Sequence, residues 1–188
     1  MNDTETDAIV MIGEIGGTVG DIESLPYMEA IRQFSHDVGH ENVIFIHLVL
    51  IPYLSVAGEL KSKPAQHSVK ELRGIGLFPN IILCRADREV DKGILDKISL
   101  FCNVPRKNVF QSLDLDSIYK VPLEFHKQGL DSIICELLGI WSTTPNIKEL
   151  EQVVYNIQNP TAVVKIGVVG KYTDLIESYK SLDEALRH

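Results

Sequence analysis

Residues 9–24 read Ile9-Val10-Met11-Ile12-Gly13-Glu14-Ile15-Gly16-Gly17-Thr18-Val19-Gly20-Asp21-Ile22-Glu23-Ser24. The apolar, β-branched start of this stretch, residues 8–12, is typical of a strand buried on both faces. Glu14 follows where a parallel strand delivers a side chain to the crevice at its carboxyl end. The glycines then allow positive φ angles and close approach of a ligand. A strand, an acidic residue, a glycine-rich loop and a helix start near Ser24 and Pro26 together predict the layout of a nucleotide site.

The chemistry of the glycine-rich loop leaves two interpretations open. The loop matches neither the GxGxxG fingerprint nor the P-loop pattern, so its spacing alone is equally compatible with an ordinary strand-to-helix turn. Its carboxylates, Glu14, Asp21 and Glu23, would repel phosphate groups. They suit a hard cation such as Mg²⁺, or the hydroxyl and base groups of a nucleoside.

The run from Glu14 to Pro26, followed by Glu29-Ala30-Ile31-Arg32-Gln33, closely resembles the CTP synthase family. These enzymes are glutamine-dependent amidoligases that make CTP from UTP and ATP with Mg²⁺. A match of this length is specific, whereas a single glycine motif is not. The resemblance implies UTP, CTP and ATP as ligands and a homo-oligomer, since family members form tetramers.

Composition narrows the class of protein. With 188 residues, 45% of them hydrophobic and 23% charged, the chain has room for one globular domain and part of another. The net charge of −8 gives no support for a nucleic-acid or membrane-surface role, and no apolar run could span a bilayer. Three scattered cysteines and an acidic start without signal-peptide features predict a cytoplasmic protein with reduced thiols.

Apolar runs further along the chain predict the sheet. We expect a central strand within residues 42–50 and further strands at 81–85 and 108–112. Helices are expected from Pro64 to about Gly76, around residues 94–101 and around residues 130–138. Strands that alternate with helices favour an α/β fold with a parallel, doubly wound sheet. The resemblance implies a three-layer Rossmann-like sheet of the P-loop NTPase type, incomplete at its N-terminal part.

One single residue and one helix face are interpreted from the pattern alone. His47 lies within an apolar run, and a hydrogen-bonded core histidine is a simpler interpretation of it than a site residue. The first helix is expected to turn Tyr27, Ile31 and Phe34 to one face.

The composition changes after Ile140. Residues 162–172 are predicted as a strand and residues 178–187 as a helix of a new α/β unit. By resemblance, residues 1–140 form the C-terminal part of the synthetase (amidoligase) domain and residues 141–161 an interdomain linker. Residues 162–188 then form the first strand and helix of a glutamine amidotransferase domain.

A second candidate site is the basic segment from Lys61 to Gln66. Lysines provide compact ammonium donors for phosphates. Because Pro64 favours an extended Lys63, Lys61 and Lys63 are expected to share one face. On composition alone, a solvated loop ahead of a helix is the simpler interpretation. The resemblance instead implies that this segment binds both UTP and CTP, through Lys61, Ser62, Lys63, Pro64, Ala65 and Gln66.

The same resemblance assigns the remaining site residues. Lys97 is implied to contact the pyrimidine nucleotides, and Glu14 to bind Mg²⁺. The residues implied to contact the inhibitory product CTP are Asp21, Ile22 and Glu23. Those implied to lie near the adenine of ATP are Leu113, Asp114 and Leu115. Without the resemblance, Lys97 is a solvated helix lysine and Asp114 a turn residue.

The 188 residues depart from the family pattern in three features. They contain no glycine-rich phosphate loop of the Ser-Leu-Gly-Lys-Gly type, no second Mg²⁺ aspartate and no cysteine between glycines. No catalytic residue is therefore assigned, and glutamine is expected to be used only through a further part of the second domain. We expect this chain alone to make no CTP and to be poorly stable or self-associating.

Two alternative functions remain. The chain could be a non-catalytic pyrimidine-nucleotide-binding or assembly module. A P-loop-like ATPase of the wider superfamily is disfavoured, because the phosphate loop is missing and the segment from Lys61 to Gln66 matches the CTP synthase pattern.

Overall fold

The computed structural model describes residues 10–141 and 145–187. The chain divides into two compact units, one ending at Val153 and one starting at Val154. The elements of the first unit are α1 (Leu25–Val38), β1 (Ile46–Leu50), β2 (Tyr53–Leu54), β3 (Glu59–Leu60), α2 (Lys63–Gly74), β4 (Ile81–Ala86), α3 (Lys92–Cys102), β5 (Val109–Leu113), α4 (Val121–Gln128) and α5 (Leu130–Leu137). They are followed by α6 (Lys148–Gln158) and α7 (Lys180–Arg187).

The first unit is built on a parallel sheet with the strand order β1-β4-β5. Leu48 pairs with Leu83, and Cys84 pairs with Gln111. The predicted strands at 42–50, 81–85 and 108–112 are confirmed. The expected central position of the first one is wrong, because β4 lies in the middle and β1 forms an edge of the described sheet. A separate antiparallel pair, β2 with β3, follows β1.

Helices cover both faces of this sheet, which gives the three layers expected of a Rossmann-like α/β fold. One apolar cluster joins the sheet to α2 and α3, through Val49, Cys84, Val69 and Ile98 among others. A second cluster lies on the opposite face and joins Ile81 and Phe110 to α5. Successive side chains of β4 point to opposite faces of the sheet, so this strand contributes to both clusters.

Two predicted strands are not formed among the described residues. Residues 10–12 adopt no strand, and Ile12 is 91% exposed; residues 8 and 9 lie outside the described part. Residues 162–170 also lie outside any strand, and Val169 is fully exposed. The physical reason is the same in both cases: a strand exists only when a neighbour satisfies its backbone groups, and neither segment has such a neighbour in the described chain.

The helices agree better with the sequence, since local patterns determine more of a helix. α2, α3, α5 and α7 occupy the predicted regions. Of the three residues expected on one face of α1, Ile31 packs against the core with Met28, whereas Tyr27 and Phe34 are exposed and Ser35 is buried instead. Within residues 10–141 and 145–187, no helix is long and apolar enough to cross a membrane.

Candidate functional site

Three connecting segments leave the sheet at one edge, which is formed by the carboxyl ends of its strands. The β2–β3 hairpin follows β1, Asp87 and Arg88 follow β4, and Asp114 follows β5. Because the strands are parallel, their carboxyl ends lie side by side. Ligands of open α/β sheets bind at this edge, so it is the candidate site of this unit.

The β2–β3 hairpin is fixed to this edge from both sides. Leu60 is buried in the core, and Tyr53 packs against the same cluster. The backbone N–H of Lys61 donates to the carbonyl of Pro52 at 3.0 Å. The Arg88 guanidinium lies 3.5 Å from the centroid of the Tyr53 ring, and Asp87 accepts two hydrogen bonds from that guanidinium. These contacts hold the residue pair Glu59 and Lys61 at the rim of the sheet.

The segment from Lys61 to Gln66 is a helix start and not an extended strand. Ser62 has helical angles, φ −84° and ψ −14°, and α2 begins at Lys63 with Pro64 in its first turn. The expected extended Lys63 is therefore wrong, since proline also stabilises the first turn of a helix. Ala65 is buried, and Gln66 donates to the Ser62 hydroxyl at 3.1 Å.

The two lysines at this helix start differ in their pairing. Lys61 Nζ donates to the carboxylate of Glu59. The pKa of Glu59 is lowered mainly by this bond to Lys61 and also by the charge of Lys97. Lys97 on α3 thus influences the same carboxylate through its charge, more weakly than Lys61 does through its hydrogen bond. Lys63 is exposed and makes no ion pair with the residues that the structure describes.

A small cavity lies at the other end of the same edge, beside β5. Its volume is about 100 Å³, and it is lined by Gln111, Ser112, Leu113, Leu115, Val121, Glu124, Phe125 and Gln128. Asp114 points away into an ion pair with Arg85 at 2.8 Å. The side-chain amide of Gln128 accepts from the N–H of Gln111 at 3.0 Å and donates to its carbonyl at 2.9 Å.

The sequence interpretation missed α4 and with it one wall of this cavity. Signals for the helix were present: Pro122 lies in its first turn, and Gly129 closes it in the left-handed conformation. Arg88 and Tyr53 were also missed, because a cation–π contact between two loops leaves no spacing pattern in the chain.

The glycine-rich loop lies elsewhere in the unit. Ile15 and Val19 pack against Leu72 and Leu77, near the C-terminal end of α2. Lys61 and Ser62 precede this 12-residue helix and Lys63 is its first residue, so the lysines lie at the opposite end of a helix that spans about 18 Å. The structure therefore does not bring the glycine-rich loop together with the lysine segment in one copy of the chain.

Hydrogen bonds within the loop give it a defined turn. Gly17 and Gly20 have positive φ angles, 86° and 102°. The Thr18 N–H donates to Oδ2 of Asp21 at 2.9 Å, and the Asp21 N–H donates to the Thr18 carbonyl at 3.0 Å. Ile22 is 83% exposed. Glu14 and Glu23 are exposed as well. No group of three potential metal ligands occurs in the described part of the chain.

Cys84 and Cys102 offer no nucleophile at this site. Burial raises the pKa of Cys84 to about 12 and also raises the pKa of Cys102. Neither thiol is ionised near neutral pH, and both lie in the core between the sheet and α3.

The fold defines a three-layer α/β protein whose candidate site lies at the carboxyl ends of its parallel strands. Comparison with known proteins gives the family. The family described as "CTP synthase N-terminus" matches residues 1–140. The CTP synthase of Ruminiclostridium cellulolyticum is 52% identical over 179 residues, which cover 95% of this chain and 34% of the relative. That of Desulfotalea psychrophila is 54% identical over 179 residues, 95% of this chain and 32% of the relative.

This chain belongs to the CTP synthase family. It spans about a third of the length of these two relatives.

Proposed function

We propose that this chain supplies the pyrimidine-nucleotide site of a CTP synthase-type ligase, which converts UTP to CTP with ATP and with glutamine or ammonia. One observation carries the proposal beyond family membership. The backbone bond from Lys61 to Pro52 holds Lys61 at the edge where open α/β sheets bind ligands, and the charge of Lys97 on α3 also lowers the pKa of the Glu59 carboxylate that Lys61 contacts. The lysines of this edge offer a triphosphate several ammonium groups from separate elements.

The roles of the segment follow from its contacts. Lys61, Lys63 and Lys97 bind the phosphates of UTP or CTP. Ser62 and Gln66, which are hydrogen-bonded to each other, orient their polar groups toward the nucleotide. Ala65 is buried and Pro64 starts the helix, so both shape the segment without side-chain contacts to phosphate.

ATP is proposed to bind beside β5, with its adenine near Leu113, Asp114 and Leu115. Leu113 and Leu115 line the cavity there and offer an apolar surface for a base. Asp114 is anchored by Arg85, which fixes the turn after the strand.

Glu14 is proposed as a single Mg²⁺ ligand. Mg²⁺ binds through one or two carboxylates together with substrate phosphates and water, so one exposed carboxylate fits this ion without a protein cage. Asp21, Ile22 and Glu23 are proposed to contact CTP when it acts as inhibitor.

The whole protein is proposed to be a homo-oligomer, a tetramer as in the family, and to act in the cytoplasm. Residues 1–140 are assigned to the synthetase domain and 141–161 to the linker. Residues 162–188 are assigned to the start of the glutamine amidotransferase domain, which takes glutamine through its further part.

Calorimetric titration of this chain with UTP and CTP, with and without Mg²⁺, tests the proposal. We expect saturable binding, weakened at least about tenfold in a Lys61→Ala, Lys63→Ala double variant, because each charge-assisted hydrogen bond to phosphate is lost. A Lys70→Ala, Lys107→Ala variant changes the net charge equally at other exposed positions and should bind as the parent does. A folded parent chain that binds neither nucleotide, or equal loss in both variants, contradicts the proposal.

A further inference from the structure

The carboxylate of Glu59 is the one feature of the lysine site that a phosphate-binding role does not account for. It lies on β3, two residues before Lys61, and accepts a hydrogen bond from the Lys61 ammonium. A negative charge at this position neutralises a cation that the proposed function assigns to phosphate. It therefore acts against the binding of any anion at the site.

The hairpin holds Glu59 in this position. Glu59 pairs with Leu54 across the β2–β3 ladder, and its neighbour Leu60 is buried in the core. Arg88 on Tyr53 and the bond from Lys61 N–H to Pro52 fix the base of the hairpin. The backbone under Glu59 and Lys61 is thus restrained on both strands, while both side chains remain partly exposed.

We propose that Glu59 occupies the phosphate position beside Lys61 in the unliganded chain, and that a nucleotide binds by displacing this carboxylate. The inference rests on the proposed function, because it names the internal competitor of the same site. Glu59 is a positioning residue: it keeps the lysine ammonium at the rim when no phosphate is present, and it turns to solvent when phosphate arrives.

The exchange breaks one carboxylate–ammonium pair, and phosphate–ammonium contacts replace it. The released carboxylate is already more than half exposed, at 58%, so it regains water without rearrangement of the hairpin. Lys97 also lowers the pKa of Glu59. Lys61 contacts the carboxylate in the free chain and turns to the phosphate in the bound one.

A Glu59→Gln variant tests this inference by calorimetry with UTP, inorganic tripolyphosphate and uridine as probes. An exposed ion pair is worth little, so we expect UTP and tripolyphosphate to bind about two- to five-fold more tightly at low ionic strength. The gain should shrink at high salt, and uridine binding should not change. Glu71→Gln on α2 is the matched control, because it alters the net charge equally and Glu71 is exposed further along the helix.

The sign of the effect separates this role from a purely structural one. If Glu59 only stabilises the hairpin, its replacement weakens UTP binding or leaves it equal to that of Glu71→Gln, and either result overturns the inference. An NMR titration of the Glu59 carboxyl provides a second readout. Its lowered pKa should rise when UTP is bound, because Lys61 then faces phosphate, and an unchanged pKa contradicts the displacement.

Failure of the proposed function looks different. In that case the parent chain, the Lys61→Ala, Lys63→Ala variant and Glu59→Gln all fail to bind UTP, which overturns both statements. Binding by the parent that depends on Lys61, together with no gain in Glu59→Gln, overturns this inference alone.

Discussion

At the scale of single residues, burial and not charge pairing decides which polar groups matter for stability. The described ion pairs between carboxylates and lysine or arginine side chains involve largely exposed partners, such as Lys107 with Glu136, and such pairs stabilise a protein little. His47 is different. It is buried on β1, and its Nε2 lies 2.9 Å from the hydroxyl of Ser68 on α2. This single polar contact connects the sheet to the helix that carries the lysine segment, as expected for a core histidine.

His47 predicts a pH dependence of stability. Burial lowers its pKa below the ordinary 6.5, so the unfolded chain binds a proton that the folded chain does not. Stability should therefore be flat above about pH 6.5 and fall as the pH decreases through the interval between that value and the lowered pKa. Thermal melts of the parent and of His47→Gln across this range measure the effect.

The His47→Gln variant keeps a hydrogen-bonding side chain but does not titrate, so its melting temperature should fall less at acid pH. Equal slopes in parent and variant would show that His47 is not the group responsible.

At the scale of elements, α4 stabilises the open edge of β5. An edge strand leaves its backbone groups unpaired, and Gln128 satisfies both groups of Gln111 with one side-chain amide. Gln111 in turn accepts from the N–H of Val90 through its own side chain, at 3.1 Å. The loop after β4, strand β5 and helix α4 are thus connected around the cavity beside Leu113.

Replacement of Gln128 by alanine should destabilise the edge strand β5. Two hydrogen bonds to Gln111 are lost, and we expect the free energy of unfolding to fall by about 1–2 kcal/mol. Urea denaturation followed by circular dichroism measures the change. Lys127→Ala on the same helix is the control, because its exposed pair with Glu124 should contribute well under that amount. Equal losses in the two variants would mean that Gln128 does not stabilise the strand.

At the scale of the whole first unit, β1 is an edge strand of the described sheet, and one of its faces is exposed. The exposed side chains of this strand, Ile46, Leu48 and Leu50, are all apolar. Leu48, in the middle of the strand, is 55% exposed. Helices α4 and α5 cover β4 and β5 on this face but do not reach β1. A free backbone edge combined with an apolar stripe favours association with another strand.

We expect the chain to self-associate through this edge. A Leu48→Lys substitution places a charge in the middle of the stripe and should shift the chain toward monomer, as measured by light scattering during gel filtration. Leu100→Lys on α3 is the matched control, since Leu100 is 74% exposed away from the sheet face and should leave association unchanged. A parent chain that is monomeric, with a cooperative melt well above room temperature, would contradict this expectation.

The sequence by itself determined the elements whose signals are local. Apolar runs identified β1, β4 and β5, and prolines and spacing identified α2, because a helix satisfies its own backbone and a buried strand requires a continuous apolar run. The long run from Glu14 to Pro26 also determined the family, which the comparisons confirm. The assignment of residues to the site came from that resemblance and not from their spacing in the sequence.

Tertiary structure alone decided what depends on neighbours. Residues 10–12 and 162–170 carry a strand pattern but form none, because pairing groups must come from another segment. The same reason explains the candidate site. Lys61 donates to the Glu59 carboxylate because the hairpin places the two side chains together, and the charge of Lys97 reaches this carboxylate from a separate helix. Contacts between distant segments leave no period in the chain, so only the folded arrangement shows them.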